Sequence, residues 1–565
     1  MPRAVLRRDR VESLLAHPVS DAALEDLLFA SKAELEAHDP ETLTISVTPD
    51  RLDLLSEGGL GLFLQGASGT AKGAPRVAAP PAAAPGAALE VDASVAPLRP
   101  VIAGLVVGAP DDRGLDVGLL EEAVRFQELL HATAGRDRRA ASLGIYPLDR
   151  LAPPFRYAAE PIADVRFVPL DASEEVPAAR FFADHPMAAR YGELGRQGER
   201  CLTIRDRAGT VLSLPPILNG RTGGEARVGD RRLLLESTGL RERPVRESLG
   251  LLSVAFVARG WTVGPVPVHG PGPLAGDGMP VLAPRSVDLS SATLRDLAGQ
   301  AYPTAEVEHR LALARLLARA HSGGWTVAVP PWRPDLLTGV DLAEEVILAQ
   351  AVRPEDGRLP PSRTRGRRLA SVVFRRRFAT ALLGLGFAAP HTSLLVSAAA
   401  AARVPQGGPI PLAYPPSAEC AFVRDRMLLS LLEVLAHNTR RAYPQLIGEV
   451  GPVVRAAPEA ESGAETRYHA AVLLASDASG FADAAAIVEY LLRVVDIVSV
   501  REPAMLPGTI PGRSARARVA GEAVAEIGEI APEVLEAVGV RVPVAWAEID
   551  LSALAPLVGV ADDTN

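Results

Sequence analysis

The chain has 565 residues, 48% of them hydrophobic, enough for roughly three to five domains with cores of their own. Lys32 and Lys72 are its only lysines, so arginine supplies nearly all the basic charge, and the net charge of −9 argues against a surface coated with nucleic acid. Two cysteines, Cys201 and Cys420, exclude a disulfide framework and a four-cysteine zinc site and suit a reducing cytoplasm; MPRAVLRRDRVESLL lacks the apolar core of a leader, and no apolar run reaches the roughly 18 residues of a membrane span.

Residues 1–66 predict a small α/β unit. Apolar residues recur at helical spacing over 11–28, with Ser20 a helix start and Glu25 and Asp26 in its first turn. LTISVT (43–48) alternates as a strand, Pro49 stops it, and RLDLLS (51–56) leads into a second helix. Residues 67–97 predict a linker, since ASGTAKGAPRVAAPPAAAPGAALE (67–90) has no periodicity with which to bury a face. A large mixed α/β domain is expected over 98–275: a buried strand at 101–107, helices at 119–132 and 245–259, and strands at 142–145, 165–169, 201–204 and 211–214. A Pro/Gly-rich stretch at 263–277 closes it. Residues 280–352 read as strand, helix, helix, strand (TVAVPPW), turn, helix. RPEDGRLPPSRTRG (353–366) reads as a charged linker. Over 367–565, helices at 371–387, 425–440 and 481–497 alternate with strands at 470–475 and 545–550, predicting an antiparallel sheet with helices packed on it. The fold class is α+β, multidomain.

The sharpest chemical constellation is Asp335, Asp341, Glu344 and Glu345. Four carboxylates within eleven residues can coordinate a hard divalent cation such as magnesium. The same residues also read as a capping box, with Asp341 as N-cap and Glu344 three positions on, and acidic side chains suit the first turn of a helix. Arg333 is placed to pair with one of them. No Gly-rich phosphate loop, zinc signature or Ser/His/Asp constellation is present; Gly220–Gly224 lacks nucleotide-fingerprint spacing.

Five stretches, in order, resemble phenylalanyl-tRNA synthetase β chains of the shorter archaeal and eukaryotic kind. They are VTPDRLDLLSEGGLGLFLQG (47–66); RFQELLHATAGRDRRAASLGIYPLDRLAPPF (125–155) with VLSLPPILN (211–219); VAVPPWRPDLLTGVDLAEEVILA (327–349); FVRDRMLLSLLEVLAHNTRRAYPQLIGEVGPVV (422–454); and IPGRSARARV with AEIGEIAPEVLEAVGV (510–540). The resemblance implies an editing-type domain at 98–275 that hydrolyses mischarged tRNA without a covalent nucleophile. It also implies a small winged-helix-like domain at 280–352, and a non-catalytic class II synthetase-like core at 367–565.

Carried over residue by residue, the implied editing residues are His131, Arg136, Asn219 and Glu236. Glu236 follows the apolar run Leu233-Leu234-Leu235 and is suited to hold an ammonium or orient water; Asn219 offers donors to an ester carbonyl; Arg136, Arg138 and Arg139 form a local basic run for the anionic tRNA end. The implied magnesium site is Asp335, Asp341, Glu344 and Glu345. The implied partners are an α subunit carrying the aminoacylation site, in a tetramer of two α and two β, with tRNA(Phe), and with ATP as a substrate of the complex. The chain departs from the family at Tyr146-Pro147, where a His-Asp pair is usual, in the loop 220–232, and at Leu429-Ser430, where Pro-Gly is usual. Pro511 to Arg516 reads as the start of a strand with surface arginines. Two other functions stay open: a stand-alone deacylase of mischarged tRNA, and a diverged non-catalytic paralogue that binds an amino acid or a partner enzyme.

Overall fold

The computed structural model describes residues 1–17, 19–77, 86–277, 283–349, 364–404 and 408–560, and it divides into two units, 1–359 and 360–565. Both mix helices with sheets that are mainly antiparallel, so the chain is α+β throughout.

The first unit begins with β1 (Arg3–Arg7), α1 (Asp21–Phe29), β2 (Ala33–His38), β3 (Thr42–Val47) and α2 (Glu57–Ala67). The strands form an antiparallel sheet in the order β1-β3-β2. The helical spacing over 11–28 is two helices, Arg8–Glu12 and α1, and α1 starts at Ser20 as expected, with Asp21 rather than Glu25 and Asp26 in its first turn. Proline in the sequence at 18 cannot donate within a helix, and the second piece begins afresh at Ser20, whose hydroxyl accepts from the Ala23 amide. The strand β2 was not expected, because AELEAH buries only one edge.

The expected linker is corrected over its second half; residues 78–85 lie outside the described residues. β4 (Leu89–Val91) is an internal strand, paired in parallel with β7 (below) and with a short strand at 268–269, and Leu89 is fully buried. The domain that follows is built on two sheets. β5 (Val101–Gly108), α3 (Val117–Ala132), β6 (Ala141–Pro147), β7 (Phe155–Pro161), β8 (Arg200–Arg205), β9 (Val211–Leu214), β10 (Leu218–Asn219), β11 (Arg232–Gly239), α4 (Glu242–Val257), β12 (Thr262–Pro265) and β13 (Val268–His269) follow in chain order. One sheet runs β12-β5-β11-β6, the other β10-β9-β8-β7-β4-β13. The strand expected at 165–169 shrinks to Arg166–Phe167. The strand β7 and the full length of β11 are additions. In β11, seven of eight residues are buried, a continuous buried run rather than an alternation, as in a strand covered on both faces, and it takes Glu236, Ser237 and Thr238 inside with Leu233 to Leu235.

Residues 285–348 carry β14 (Arg285–Ser290), α5 (Ser291–Ala298), α6 (Thr304–Leu313), β15 (Leu317–His321), β16 (Gly324–Val329) and α7 (Gly339–Leu348), with sheet order β14-β16-β15. β15 is an exposed edge and was not legible from apolar periodicity. The charged linker expected at 353–366 lies outside the described residues over 353–363.

The second unit carries α8 (Ala370–Gly384), α9 (Leu428–His437), β17 (Gln445–Ala456), β18 (Ala464–Ala475), α10 (Phe481–Arg493), β19 (Val500–Pro503), β20 (Thr509–Val519), β21 (Glu522–Ile530), β22 (Val544–Asp550) and α11 (Leu551–Leu557). Its larger sheet has six strands, all antiparallel, in the order β17-β18-β22-β21-β20-β19. Apolar clusters form on both sides of the sheet: Trp546 packs with α9 on one, Ala545 and Ala547 with α8 and α10 on the other, the alternation a strand imposes. Arg513 and Arg516 sit on β20 and pair with Glu529 and Glu526. Among the described residues, no helix is long and apolar enough to cross a membrane.

Candidate functional site

A cavity of about 200 Å³ opens between α3, β6, β11 and the turn from β9 to β10. The strand register makes it. Glu236 sits mid-strand on β11, opposite Gly144 of β6 on one side and Gly104 of β5 on the other. A Cβ on Gly144 would lie 2.5 Å from Glu236 Oε2 and 2.2 Å from the Tyr146 hydroxyl. Only glycine leaves room for the carboxylate there.

Glu236 is 2% exposed. Its Oε2 accepts from the Tyr146 hydroxyl at 2.8 Å, and that hydroxyl is 2.9 Å from Ser213 Oγ. Its Oε1 is buried and has no hydrogen-bond partner among the described residues. Burial pushes the carboxyl up to about 7, against the opposing pull of the Tyr146 hydrogen bond, the buried Arg99 guanidinium and the nearby Thr238 hydroxyl. Burial, and then Glu236 itself, hold the Tyr146 phenol well above its usual range. The pair is therefore a neutral phenol donating to a carboxyl that titrates near neutrality, the property wanted of a proton-handling group.

The other expected residues fall into place unevenly. His131, Asn219 and Glu236 all line the cavity; Arg136 does not. His131 is 4% exposed, and its Nε2 accepts from the Leu143 amide at 2.8 Å. The proton is thereby assigned to Nδ1, which donates to Glu128 Oε1 at 3.1 Å. Burial lowers the imidazole pKa despite Glu128, so the ring is a neutral bolt between α3 and β6. Asn219 donates to the Gly224 carbonyl at 3.2 Å, which ties the altered loop to the cavity wall.

Arg136, Asp137 and Arg138 are three successive residues with positive φ, at 50°, 55° and 64°. That turn leaves Arg136 and Arg139 in solvent and swings Arg138 inward. Arg138 donates to the Pro216 and Ile217 carbonyls at 3.1 and 2.8 Å, pairs with Glu128 at 2.9 Å, and lies over the Tyr191 ring at 4.7 Å. Burial would raise the Glu128 carboxyl, but His131 and Arg138 together hold it down at about 2. Arg138, Tyr146 and Ser213 are thus the lining residues that the sequence placed elsewhere or passed over. An isolated basic run gives no sign of which arginine turns in.

The acidic cluster is organised by arginine. Arg333 is 4% exposed. It donates to both oxygens of Asp335, at 2.9 and 2.7 Å, and to Glu345 Oε1 at 2.6 Å. A second bidentate pair, Arg51 with Asp53, is also buried in this unit. Asp341 does not begin its helix: Thr338 is the N-cap, and Asp341, three residues on, accepts from the Leu337 and Thr338 amides at 2.8 and 2.7 Å. The capping box is therefore shifted from the Asp341–Glu344 register. Glu344 turns to Lys32 Nζ at 2.6 Å, and Lys32 also holds Asp50. The donors are oxygens, as magnesium prefers. As folded, however, a guanidinium already lies between Asp335 and Glu345, and Asp341 and Glu344 face other partners. No three His, Cys, Asp or Glu side chains among the described residues come close enough to share an ion. The four expected ligands do not fit one magnesium site. Asp341→Ala should cost about 1 kcal/mol through loss of the cap, read from urea denaturation and equal with and without magnesium; a loss seen only with magnesium present would restore a metal role.

Residues 287–350 match the tRNA synthetase B5 domain, and residues 357–551 match the phenylalanyl tRNA synthetase beta chain CLM domain. In fold, the chain is similar to an N-terminal fragment of the phenylalanyl-tRNA synthetase beta-subunit from Pyrococcus horikoshii. That match has a TM-score of 0.57 and 24% identity, and covers 62% of this chain and 100% of the fragment. Phenylalanine–tRNA ligase beta subunits of Halobacterium salinarum (31% identical, over 98% of this chain and 100% of theirs) and Korarchaeum cryptofilum (30%, over 98% of each) are similar along their whole lengths. That of Aeropyrum pernix is 29% identical over 98% of this chain and 99% of its own. End-to-end similarity at this level, with the two domain matches, shows that the chain belongs to the phenylalanine–tRNA ligase beta-subunit family.

Proposed function

We propose that the chain supports ATP-dependent charging of tRNA(Phe) by a catalytic α subunit, in a tetramer of two α and two β. We further propose that its Glu236 pocket hydrolyses tRNA(Phe) carrying the wrong amino acid. The observation behind the second part is a buried carboxyl, titrating near neutrality, with one oxygen unpartnered among the described residues, at the wall of a largely apolar cavity. In this reading the free Glu236 oxygen takes the proton of the attacking water, the Asn219 amide faces the ester carbonyl, and Arg138 holds the β9–β10 turn that forms the wall. No covalent intermediate forms. The magnesium required for charging is assigned no ligand in this chain.

Tyr146 supports a second reading. Its hydroxyl already occupies one Glu236 oxygen, so a diverged pocket would hold an amino acid without hydrolysing its ester. Two measurements separate the readings. The chain, co-expressed with an α subunit, should purify as a 1:1 complex that charges tRNA(Phe), while the chain alone should not charge it; robust charging by the single chain would overturn the subunit assignment. The complex should also deacylate tyrosyl-tRNA(Phe), with a rate that rises as pH passes through about 7, because the base form of Glu236 appears there. Binding of tyrosine without deacylation would favour the second reading.

A further inference from the structure

A separate cavity of about 490 Å³ lies on one face of the six-stranded sheet in the second unit, within the size range of small-molecule sites. Cross-strand register crowds ionisable groups onto that face. His469 of β18 is opposite Asp550 of β22, and Glu526 of β21 is opposite Glu548 of β22. Like charges directly opposite are unfavourable, yet each of this pair is compensated: Glu548 accepts from His469 Nδ1 at 2.6 Å and from the Met427 amide at 2.9 Å, and Glu526 accepts from Arg516 at 3.1 Å.

Three other residues lining the same cavity carry bare atoms. His469 Nε2, Asp425 Oδ1, and Nε and Nη1 of Arg426 are buried with no hydrogen-bond partner among the described residues. The His469 and Asp425 side chains are only 4% and 10% exposed. Their nearest complements are ion pairs without hydrogen-bond geometry: Asp550 at 3.6 Å from His469 Nε2, and Asp425 Oδ2 at 3.5 Å from Arg426 Nε. Asp425 Oδ2 already accepts from the Gly408 amide. Burial alone would discharge His469, but Asp550 and Glu548 raise its pKa to about 9, so Nε2 is a charged donor at neutral pH. Leaving a buried polar atom unpaired is unfavourable, and four such atoms belong to three residues that line this one cavity.

The kind of ligand follows from signs. Three arginines and His469 face four carboxylates around the cavity, so it favours neither a net anion nor a net cation. The bare groups comprise donors, on Arg426 and His469, and one acceptor, on Asp425. We propose that this cavity binds a free α-amino acid, with its carboxylate on Arg426 and His469 and its ammonium on Asp425. The proposal is independent of the roles assigned around Glu236.

Equilibrium dialysis of the full chain with radiolabelled glycine, L-alanine and L-phenylalanine, beside propionate and inorganic phosphate as anion-only probes, tests it. At least one amino acid should saturate one site per chain, with both anions binding about tenfold or more weaker. Asp425→Asn and Arg426→Gln should each weaken that binding by about tenfold or more with little change in thermal unfolding, and Glu236→Gln should leave it unchanged. Three results would overturn the proposal: no saturable binding of any of the three up to roughly 10 mM, meaning that ordered water alone fills the cavity; phosphate or propionate binding as tightly as the amino acids; or full affinity in both folded variants.

Discussion

Glu236→Gln is expected to lower deacylation of tyrosyl-tRNA(Phe) by about a hundred- to ten-thousandfold, while the complex charges phenylalanine at the wild-type rate. The amide fills the same space between Gly104 and Gly144 and can still accept from Tyr146, so the fold is kept and only proton acceptance is lost. The pH dependence gives an independent check. The Glu236 carboxyl is raised in the folded chain from its ordinary 4.5 to about 7. Its neutral form therefore stabilises the fold fully below 4.5, and that contribution drains away as pH rises to about 7; the glutamine variant should lack this decline. Tyr146→Phe removes a hydrogen bond that favours the anion, so the midpoint of the deacylation profile should move to higher pH. Unchanged deacylation in Glu236→Gln would make Glu236 structural.

Arg333→Met should destabilise the first unit by about 3–5 kcal/mol, measured by urea unfolding of the full chain. The side chains of Asp335 and Glu345 are 5% and 8% exposed, so removing the guanidinium strands two carboxylates out of water. Arg51 contributes favourably to Asp335, but its own hydrogen bonds go to Asp53. Replacing all three residues by Met, Leu and Met should recover most of the loss, since an apolar cluster pays no desolvation cost. A loss below about 1 kcal/mol, the range of surface pairs, would refute the account. Recovery of the Arg333→Met chain by magnesium alone would show that an ion can stand where the guanidinium does.

What was legible in the sequence follows how each feature announces itself. The helices α3, α4 and α10 carry apolar stripes, and the strands β5 and β22 carry apolar runs, so their places were readable within a few residues. β2, β15 and β19 are edge strands with exposed side chains, and no periodicity marks an edge. β4 was hidden because an Ala/Pro-rich neighbourhood masks a three-residue strand whose burial comes from distant residues, on its neighbours β7 and β13 and on the facing sheet. At the cavity, a carboxylate ending an apolar run pointed to Glu236. The partner of that carboxylate lies ninety residues away at Tyr146 and becomes visible only with the β6–β11 register. The acidic cluster shows the opposite failure. Spacing gathered four carboxylates, but the helix start moved to Thr338, Asp341 turned to the backbone amides there, and the other three followed Arg333 and Lys32.

The tight fit around Gly144 bears on how this pocket can diversify. Any side chain at 144 would meet the Tyr146 hydroxyl and the Glu236 carboxylate at once, so single substitutions there are barred until both neighbours shrink. Positions 144, 146 and 236 thus form one heritable unit with strong mutual dependence.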